Sequence, residues 1–427
     1  MYINREIDSF LIESFSQERP KGLILSGIVG SGKTTAVENY IEKIAGTKNV
    51  FSYSGDDIQF RNDVATDTKF IYQDILAKRN PAKENLIFVD EVQKSEEIFD
   101  AVKYAFDKGP SSFLITGSNP GYLNTVARLR LQRRADFTML MPLSISEILV
   151  HKKLILDGSQ KIFSELIFEG SIPDLKTMSL EYSPALQEEL KRYLIYGGLP
   201  LSFLAPPKRA LAEIRQVVER GILTLVNDSE NIIDIVLLEL AKMHSHEFTY
   251  THIFGRTGTR KRDLINKILT DLLNQGYLVS KTPFFREESR KSYLKVFSLV
   301  DPGIHSYLCG DLDLKVNIGQ KIEGVVHARL NLLRLQRPLK NALHYFKPYK
   351  TDPIKGIKFL PGEIDFIFKE GRRIVPLEVK ATDQLKNCDI KFLEDYVNRE
   401  RLPFGIILYG GMPFVQGKIV FYPWWLV

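Results

Sequence analysis

Residues 27–34 read Gly-Ile-Val-Gly-Ser-Gly-Lys-Thr, a full match to G-x-x-x-x-G-K-[ST]. An apolar run, Leu23–Ser26, precedes the motif, and a helical stretch, Lys33–Lys43, follows it. A strand that turns through glycines straight into a helix confines the region to an α/β fold around a parallel sheet. The glycines let the backbone curl so that successive N–H groups face phosphate oxygens. Lys33 adds a mobile positive charge, the Thr34 hydroxyl is a ligand candidate for Mg²⁺, and the helix N-terminus favours an anion. Gly27, Gly30, Ser31, Gly32, Lys33, Thr34 and Thr35 are the expected nucleotide-binding residues, with ATP or ADP as ligand.

A second signal stands 57 residues after Lys33, where the apolar run Leu86–Val89 ends in Asp90 and Glu91. Asp90 at a strand tip would hold Mg²⁺, and Glu91 is placed to polarise an attacking water. A third run, Phe113–Thr116, ends in Thr116, Gly117 and Ser118. In an ATPase sheet such a strand lies between the other two, and Thr116 can sense the γ-phosphate. Arg128, Arg130, Arg133 and Arg134 follow. Arg133 or Arg134 is expected to act as an arginine finger on a neighbouring subunit's ATP, and a solvated helix face is the alternative.

Further along, residues 156–228 read mainly as helices, broken by Tyr196-Gly-Gly-Leu-Pro200. Residues 229–303 then give three helical stretches, Asn231–Lys242, Tyr250–Phe254 and Thr259–Gln275, and two strands, Tyr277–Lys281 and Tyr293–Leu299. That order predicts a winged helix. Residues 250–295 hold ten Lys/Arg and four Asp/Glu, a net of +6 that equals the excess of the whole chain. Arg256, Arg260, Lys261 and Arg262 open the presumed recognition helix, and Lys281, Arg286, Arg290 and Lys291 flank the wing. Salt-dependent contact with DNA phosphates is expected there. Residues 304–427 return to α/β.

Asp365 and the pair Glu378-Val-Lys380 stand on successive predicted strands with twelve residues between Asp365 and Glu378. Residues i and i+2 of a strand share a face, so Glu378 and Lys380 point together and a neighbouring strand can add Asp365. Two carboxylates make a hard oxygen site for Mg²⁺, and the lysine can orient a water. Glu323, on the helical stretch Ile318–Leu335, matches the helical acid that completes many metal-dependent nuclease sites. A structural ion-pair network is the alternative for Glu323, Asp365, Glu378 and Lys380.

GIVGSGKTT, LIFVDEVQ, FLITGSNP, RRADFTMLMPLSISEIL, YGGLP and GEIDF…PLEVKAT together resemble prokaryotic AAA+ ATPases that carry a C-terminal domain with a restriction-endonuclease-like core. The resemblance spans nearly the whole chain. It implies a P-loop AAA+ core over 1–155, a helical lid over 156–228, a winged helix over 229–303, and a PD-(D/E)xK nuclease-like domain over 304–427. It also implies an adenine-side role for Pro200. Gln93 follows the acidic pair as in that family, whereas no glycine precedes Arg133-Arg134.

Apolar residues at 44% and charged residues at 26% are ordinary globular values and exclude a disordered chain. Two cysteines, Cys309 and Cys388, exclude a disulfide framework and point to a reducing compartment. No apolar run reaches the ~18 residues that cross a bilayer, and MYINREIDSF has no leader-like apolar stretch. The expectation is a cytoplasmic protein with no membrane association that binds ATP and Mg²⁺ and acts on DNA. A homo-oligomer or a protein partner remains open. The alternative is a nucleotide-dependent switch that binds a protein partner and carries an inactive nuclease-like domain.

Overall fold

The computed structural model describes residues 2–16, 19–156, 158–170, 172, 175, 182–225, 232–257, 262–284, 294–314, 317–336, 340–348, 350–351, 358–359 and 362–427. The chain forms two compact units: Met1–Leu143 with Thr270–Tyr277, and Ser144–Leu269 with Leu278–Val427.

The first unit is built on five parallel strands, β1 (Gly22–Ser26), β2 (Asn49–Ser54), β3 (Asn85–Asp90), β4 (Ser111–Gly117) and β5 (Ala135–Met139). Their order is β2-β3-β4-β1-β5, so β4 lies between the strand that feeds the glycine loop and the strand that ends in Asp90. Alternate residues of each central strand serve opposite cores, because a strand has a side-chain period of two. Ile24, Ile87, Val89, Phe113 and Ile115 join one core, and Leu23, Leu25, Leu86, Phe88 and Leu114 join the other. Helices α1 (Glu6–Phe15) and α2 (Lys33–Ile44) cover the second core through Leu11, Phe15, Val37 and Tyr40. Helices α3 (Ile58–Thr66), α4 (Phe70–Lys78), α5 (Glu97–Lys108) and α6 (Pro120–Arg130) cover the first. With both faces covered, these strands read as continuous apolar runs, each Leu or Ile contributing about 1.5–3 kcal/mol on burial.

The second unit begins with α7 (Ile145–His151), α8 (Ser159–Glu169), α9 (Pro184–Tyr196), α10 (Pro200–Leu204) and α11 (Pro207–Val217). Next come α12 (Ile232–Lys242), α13 (Tyr250–Thr257) and α14 (Arg262–Asn274), whose last turn belongs to the first unit. Strands β6 (Leu278–Pro283) and β7 (Val296–Leu299) form an antiparallel pair. They are followed by α15 (Pro302–Cys309), α16 (Ile318–Gln336), β8 (Asn341–Phe346) and a short pair, β9 (Lys350–Thr351) with β10 (Lys358–Phe359). The chain ends with β11 (Ile364–Glu370), β12 (Arg373–Val379), α17 (Asn387–Arg399), β13 (Gly405–Tyr409), β14 (Phe414–Gln416) and β15 (Ile419–Pro423).

β6 pairs with β8 as well as β7, which makes one mixed sheet of order β14-β15-β13-β12-β11-β8-β6-β7. The hairpin expected as a wing is therefore continuous with the C-terminal sheet. The helices expected as a lid pack on the same sheet: Phe163 lies 5.7 Å from Tyr422 and Phe168 lies 6.0 Å from Phe368 between ring centres. Arg373 donates to the carbonyl of Ile167 at 2.5 Å. Asp301, fully buried at the N-cap of α15, accepts from Gly303, Ile304 and, at 2.7 Å, from Gly198 of the YGGLP segment. Burial pushes its carboxyl up to about 6, against the three N–H donors. Among the described residues no helix is long and apolar enough to cross a membrane.

Candidate nucleotide site and carboxylate cluster

The glycine loop leaves β1 at the carboxyl edge of the parallel sheet, the edge where open α/β sheets bind ligands. Gly30 and Gly32 take φ of 79° and 88°, a left-handed region in which a side chain would be strained. Gly27 sits at the corner where β1 enters the loop, and Gly32 caps α2. The Ser31 hydroxyl is buried without a hydrogen-bond partner. Lys33 is buried, and its ammonium donates to the carbonyls of Gly27 and Ile28, each at 3.0 Å. Burial pulls its pKa down from 10.5 to about 8, partly offset by Glu91 and Asp90. Thr35 is exposed on α2.

The Asp90 carboxylate is flanked by two hydroxyls. Thr34 donates to it at 2.9 Å, and Thr116 on β4 donates to its other oxygen. Glu91 follows with φ of 49°, a left-handed conformation uncommon for a side-chain residue and often met at functional sites. The Ser118 hydroxyl donates to Glu91 Oε1 at 3.0 Å, and the Gln93 amide donates to Oε2. Lys33, Thr34, Asp90, Glu91 and Thr116, distant in sequence, thus converge at one sheet edge. A loop lined by N–H groups, an orphaned buried hydroxyl and a carboxylate beside a threonine form a donor set that suits a polyphosphate with Mg²⁺.

Sequence reading missed two supports of this loop. Arg5, one residue before α1 and almost fully buried, donates to the Ser31 carbonyl at 2.7 Å and to the Met141 carbonyl at 2.6 Å. In a planar trans peptide the N–H points away from the C=O. Holding the Ser31 carbonyl on the Arg5 side therefore turns the Gly32 N–H the opposite way. Tyr277, also buried, places its hydroxyl beside the Val29 backbone, and burial pushes its phenol up to about 12. No motif marks either residue.

Arg133 and Arg134 lie at the other end of the sheet. Ala135 pairs with Gly22 at the start of β1, whereas Met139 pairs with Ser26 beside the loop. Five strand residues, about 13 Å, separate those ends, so neither arginine serves this chain's own loop. Arg134 forms a two-pronged pair with Asp107 at 2.6 and 3.0 Å. Arg130 is engaged by Asp100 and Glu96, and Arg133 is exposed. Pro200 opens α10 in the second unit.

In the second unit Glu323, Asp365, Glu378 and Lys380 do assemble, but around an unexpected cation. Lys281 of β6 is 2% exposed; its ammonium donates to Glu323 Oε1 at 2.7 Å and to the Asp365 carbonyl at 2.8 Å, and lies 3.8 Å from the centre of the Phe366 ring. The expectation that Lys281 flanks a wing and meets DNA phosphates is corrected: the pleat of β6 sets this residue on the same buried face as Val279. The carboxylates are engaged by the chain itself. Asp365 accepts from the Val379 N–H at 2.8 Å, and Glu378 accepts from Lys380 at 2.8 Å and from the Asp365 N–H at 3.3 Å. Burial and the charge of Glu323 push Asp365 up to about 7, burial and the charge of Asp365 push Glu378 up to about 8, and burial raises Glu323 against the pull of Lys281. Among the described residues no group of three or more His, Cys, Asp or Glu side chains is arranged to hold a metal ion. The expected metal set Glu323, Asp365 and Glu378 does not fit a divalent cation, because Lys281 holds Glu323 Oε1, the Val379 N–H holds Asp365 Oδ2, and Lys380 with the Asp365 N–H holds both oxygens of Glu378.

Of the expected DNA residues, Arg256 falls in the last turn of α13, and Arg260 and Lys261 lie outside the described residues. Arg262 opens α14, exposed, with its guanidinium 4.5 Å from the centre of the Tyr250 ring. Arg286, Arg290 and Lys291 also lie outside the described residues.

Residues 19–149 match the profile of a family described as "AAA domain". With the loop, the acidic strand and the sheet order, they constitute an AAA-type P-loop domain. An uncharacterised protein of Methanocaldococcus jannaschii is 23% identical over 291 residues, 65% of this chain and 59% of the relative. The match thus spans less than two thirds of that relative's length. Among solved structures, the chain is similar to the Aeropyrum pernix ORC1 protein in complex with DNA, at 12% identity, covering 72% of this chain and 91% of that one, with a TM-score of 0.27. It is similar also to the ADP form of the Aeropyrum pernix ORC2 protein, at 14% identity, covering 79% and 95%, with a TM-score of 0.32.

Proposed function

We propose that this chain binds ATP with Mg²⁺, hydrolyses it, and couples the nucleotide to binding of DNA. The observation that carries the reading is the Asp90 carboxylate between the Thr34 and Thr116 hydroxyls, with Glu91 next to it at the mouth of the glycine loop. The loop N–H groups and Lys33 would cradle the β- and γ-phosphates, Lys33 exchanging the carbonyls of Gly27 and Ile28 for phosphate oxygens. Thr34 and Asp90 would hold Mg²⁺, which neutralises charge that develops during phosphoryl transfer. Glu91 would orient the attacking water and accept its proton at a carboxylate oxygen released by Ser118 or Gln93. Thr116 contacts Asp90 and is placed to report the state of the phosphates. A finger role for Arg133 or Arg134 requires a second copy of the chain, whose nucleotide those arginines would meet.

The DNA part rests on the nine Lys/Arg besides the inward-turned Lys281, against four Asp/Glu, in residues 250–295, and on the order of α12, α13, α14, β6 and β7, which suits a winged helix. The test is ATP turnover and nucleotide affinity for the wild type, Lys33→Ala and Glu91→Gln, with and without duplex DNA at two salt concentrations. Glu91→Gln should keep nucleotide affinity and lose about 10²–10⁴-fold in turnover. Unchanged turnover in that variant would remove Glu91 from its role. Stimulation by DNA should fade with salt, and its absence together with no DNA binding would make a protein partner the better reading.

A further inference from the structure

The geometry points to Lys281 as the permanent cation of the carboxylate cluster, so that the second unit, despite its D…E-x-K pattern, holds no catalytic metal and cuts no phosphodiester bond. An ammonium and a divalent ion compete for the same oxygens, and here the ammonium is part of the fold. Lys281 is 2% exposed and held by Glu323 at 2.7 Å, by the Asp365 carbonyl at 2.8 Å and by the face of Phe366. Its strand is hydrogen-bonded on both sides, to β7 and to β8, so the backbone cannot carry the side chain away. Of the other carboxylate oxygens, Asp365 Oδ2 accepts from the Val379 N–H, and both oxygens of Glu378 accept, from the Asp365 N–H and from Lys380.

The chemistry agrees with the geometry. Metal-dependent cleavage needs a cation that acidifies a bound water and screens the phosphate. A buried ammonium with its protons committed to Glu323 and a carbonyl offers no coordination position to a water. Lys380, which such a site would use beside the metal, is instead turned to Glu378. The pattern survives as an ion network that ties β6 to α16, β11 and β12.

The test uses the full chain without nucleotide, carrying Asp90→Asn to weaken Mn²⁺ binding at the glycine loop. Bound Mn²⁺ is counted by electron paramagnetic resonance up to millimolar ion, and thermal unfolding is followed in parallel. The expected result is no ion bound at the cluster and no change in midpoint. One ion per chain, lost on adding Asp365→Asn, would overturn the inference, as would Mg²⁺- or Mn²⁺-dependent cleavage of plasmid DNA abolished by Asp365→Asn. Lys281→Met in the same background should gain one Mn²⁺ per chain; a folded Lys281→Met that gains none would show that Lys281 is not what excludes the metal. Should Lys281→Met fail to fold, the count for the Lys281-containing chain and the cleavage assay still decide. None of these readouts depends on ATP hydrolysis.

Discussion

The buried ammonium of Lys33 should make nucleotide affinity fall steeply in mild alkali. Desolvation brings its pKa from 10.5 to about 8. Its hydrogen bonds run to the carbonyls of Gly27 and Ile28. A polyphosphate placed beside it adds negative charge, so the bound state keeps the proton to higher pH. Above pH 8, binding must then take up a proton, and affinity drops as the pH rises. With a pKa of about 8, roughly three quarters of the loops are charged at pH 7.5 and about 3% at pH 9.5. The affinity should therefore fall about 25-fold over that interval, or about 1.9 kcal/mol. Calorimetric titration with ADP and Mg²⁺ in buffers of different ionisation enthalpy measures both quantities. Proton uptake should rise toward one per nucleotide between pH 7.5 and 9.5, and Lys33→Ala should bind weakly with no such uptake. A wild-type affinity that stays level to pH 9.5, without proton uptake, would refute the argument that burial controls this lysine.

Arg5→Ala removes two charge-assisted hydrogen bonds at the base of the loop and should cost about 2–3 kcal/mol of stability, read by urea unfolding. Nucleotide affinity should weaken in the same variant and recover partly in Arg5→Lys, whereas full affinity in Arg5→Ala would show that the loop holds its shape unaided. For Asp301, burial raises the folded-state pKa from 3.8 to about 6. The folded chain thus holds this proton more tightly, so the contribution is complete below pH 3.8 and is lost as the pH rises to about 6. Asp301→Asn removes that dependence. The stability gap between wild type and variant should shift by about 2.4 kcal/mol between pH 4 and pH 7, and parallel curves would contradict it. At neutral pH the Asn amide also leaves the Gly198 N–H facing a donor or an empty site, a cost of about 1–3 kcal/mol.

The first unit was legible where strands are buried on both faces. The apolar run Leu86–Val89 ending in Asp90 falls within β3, and Lys33 and Asp90 stand at one edge of the sheet. Strands β2 and β5 were not readable in this way. They lie at the sheet's edges, and Ser52, Asp136 and Phe137 stay exposed, which breaks the apolar run. Lys281 was misread because a charge between strand and turn usually means solvent. Its alternation with buried Val279 already put it on an inward face. The i, i+2 spacing of Glu378 and Lys380 was visible in the sequence, but the cation beside Glu323 was not, since a lysine 42 residues before it carries no local mark. Arg5 had none either, because its partners are carbonyls, which any sequence supplies.

The hydrogen bond from Arg373 to Ile167 closes a loop of 206 residues, and that span has a consequence for how the chain is made. During synthesis at about 5–20 residues per second, α8 leaves the ribosome roughly 10–40 s before the strands it packs against. Phe163, Leu166 and Ile167, all fully buried in the finished unit, have no native neighbours on β11, β12 or β15 in that interval. The second unit is thus assembled around a waiting apolar helix. A stop codon anywhere before β11 would leave that surface uncovered, a state prone to aggregate or to be held by chaperones.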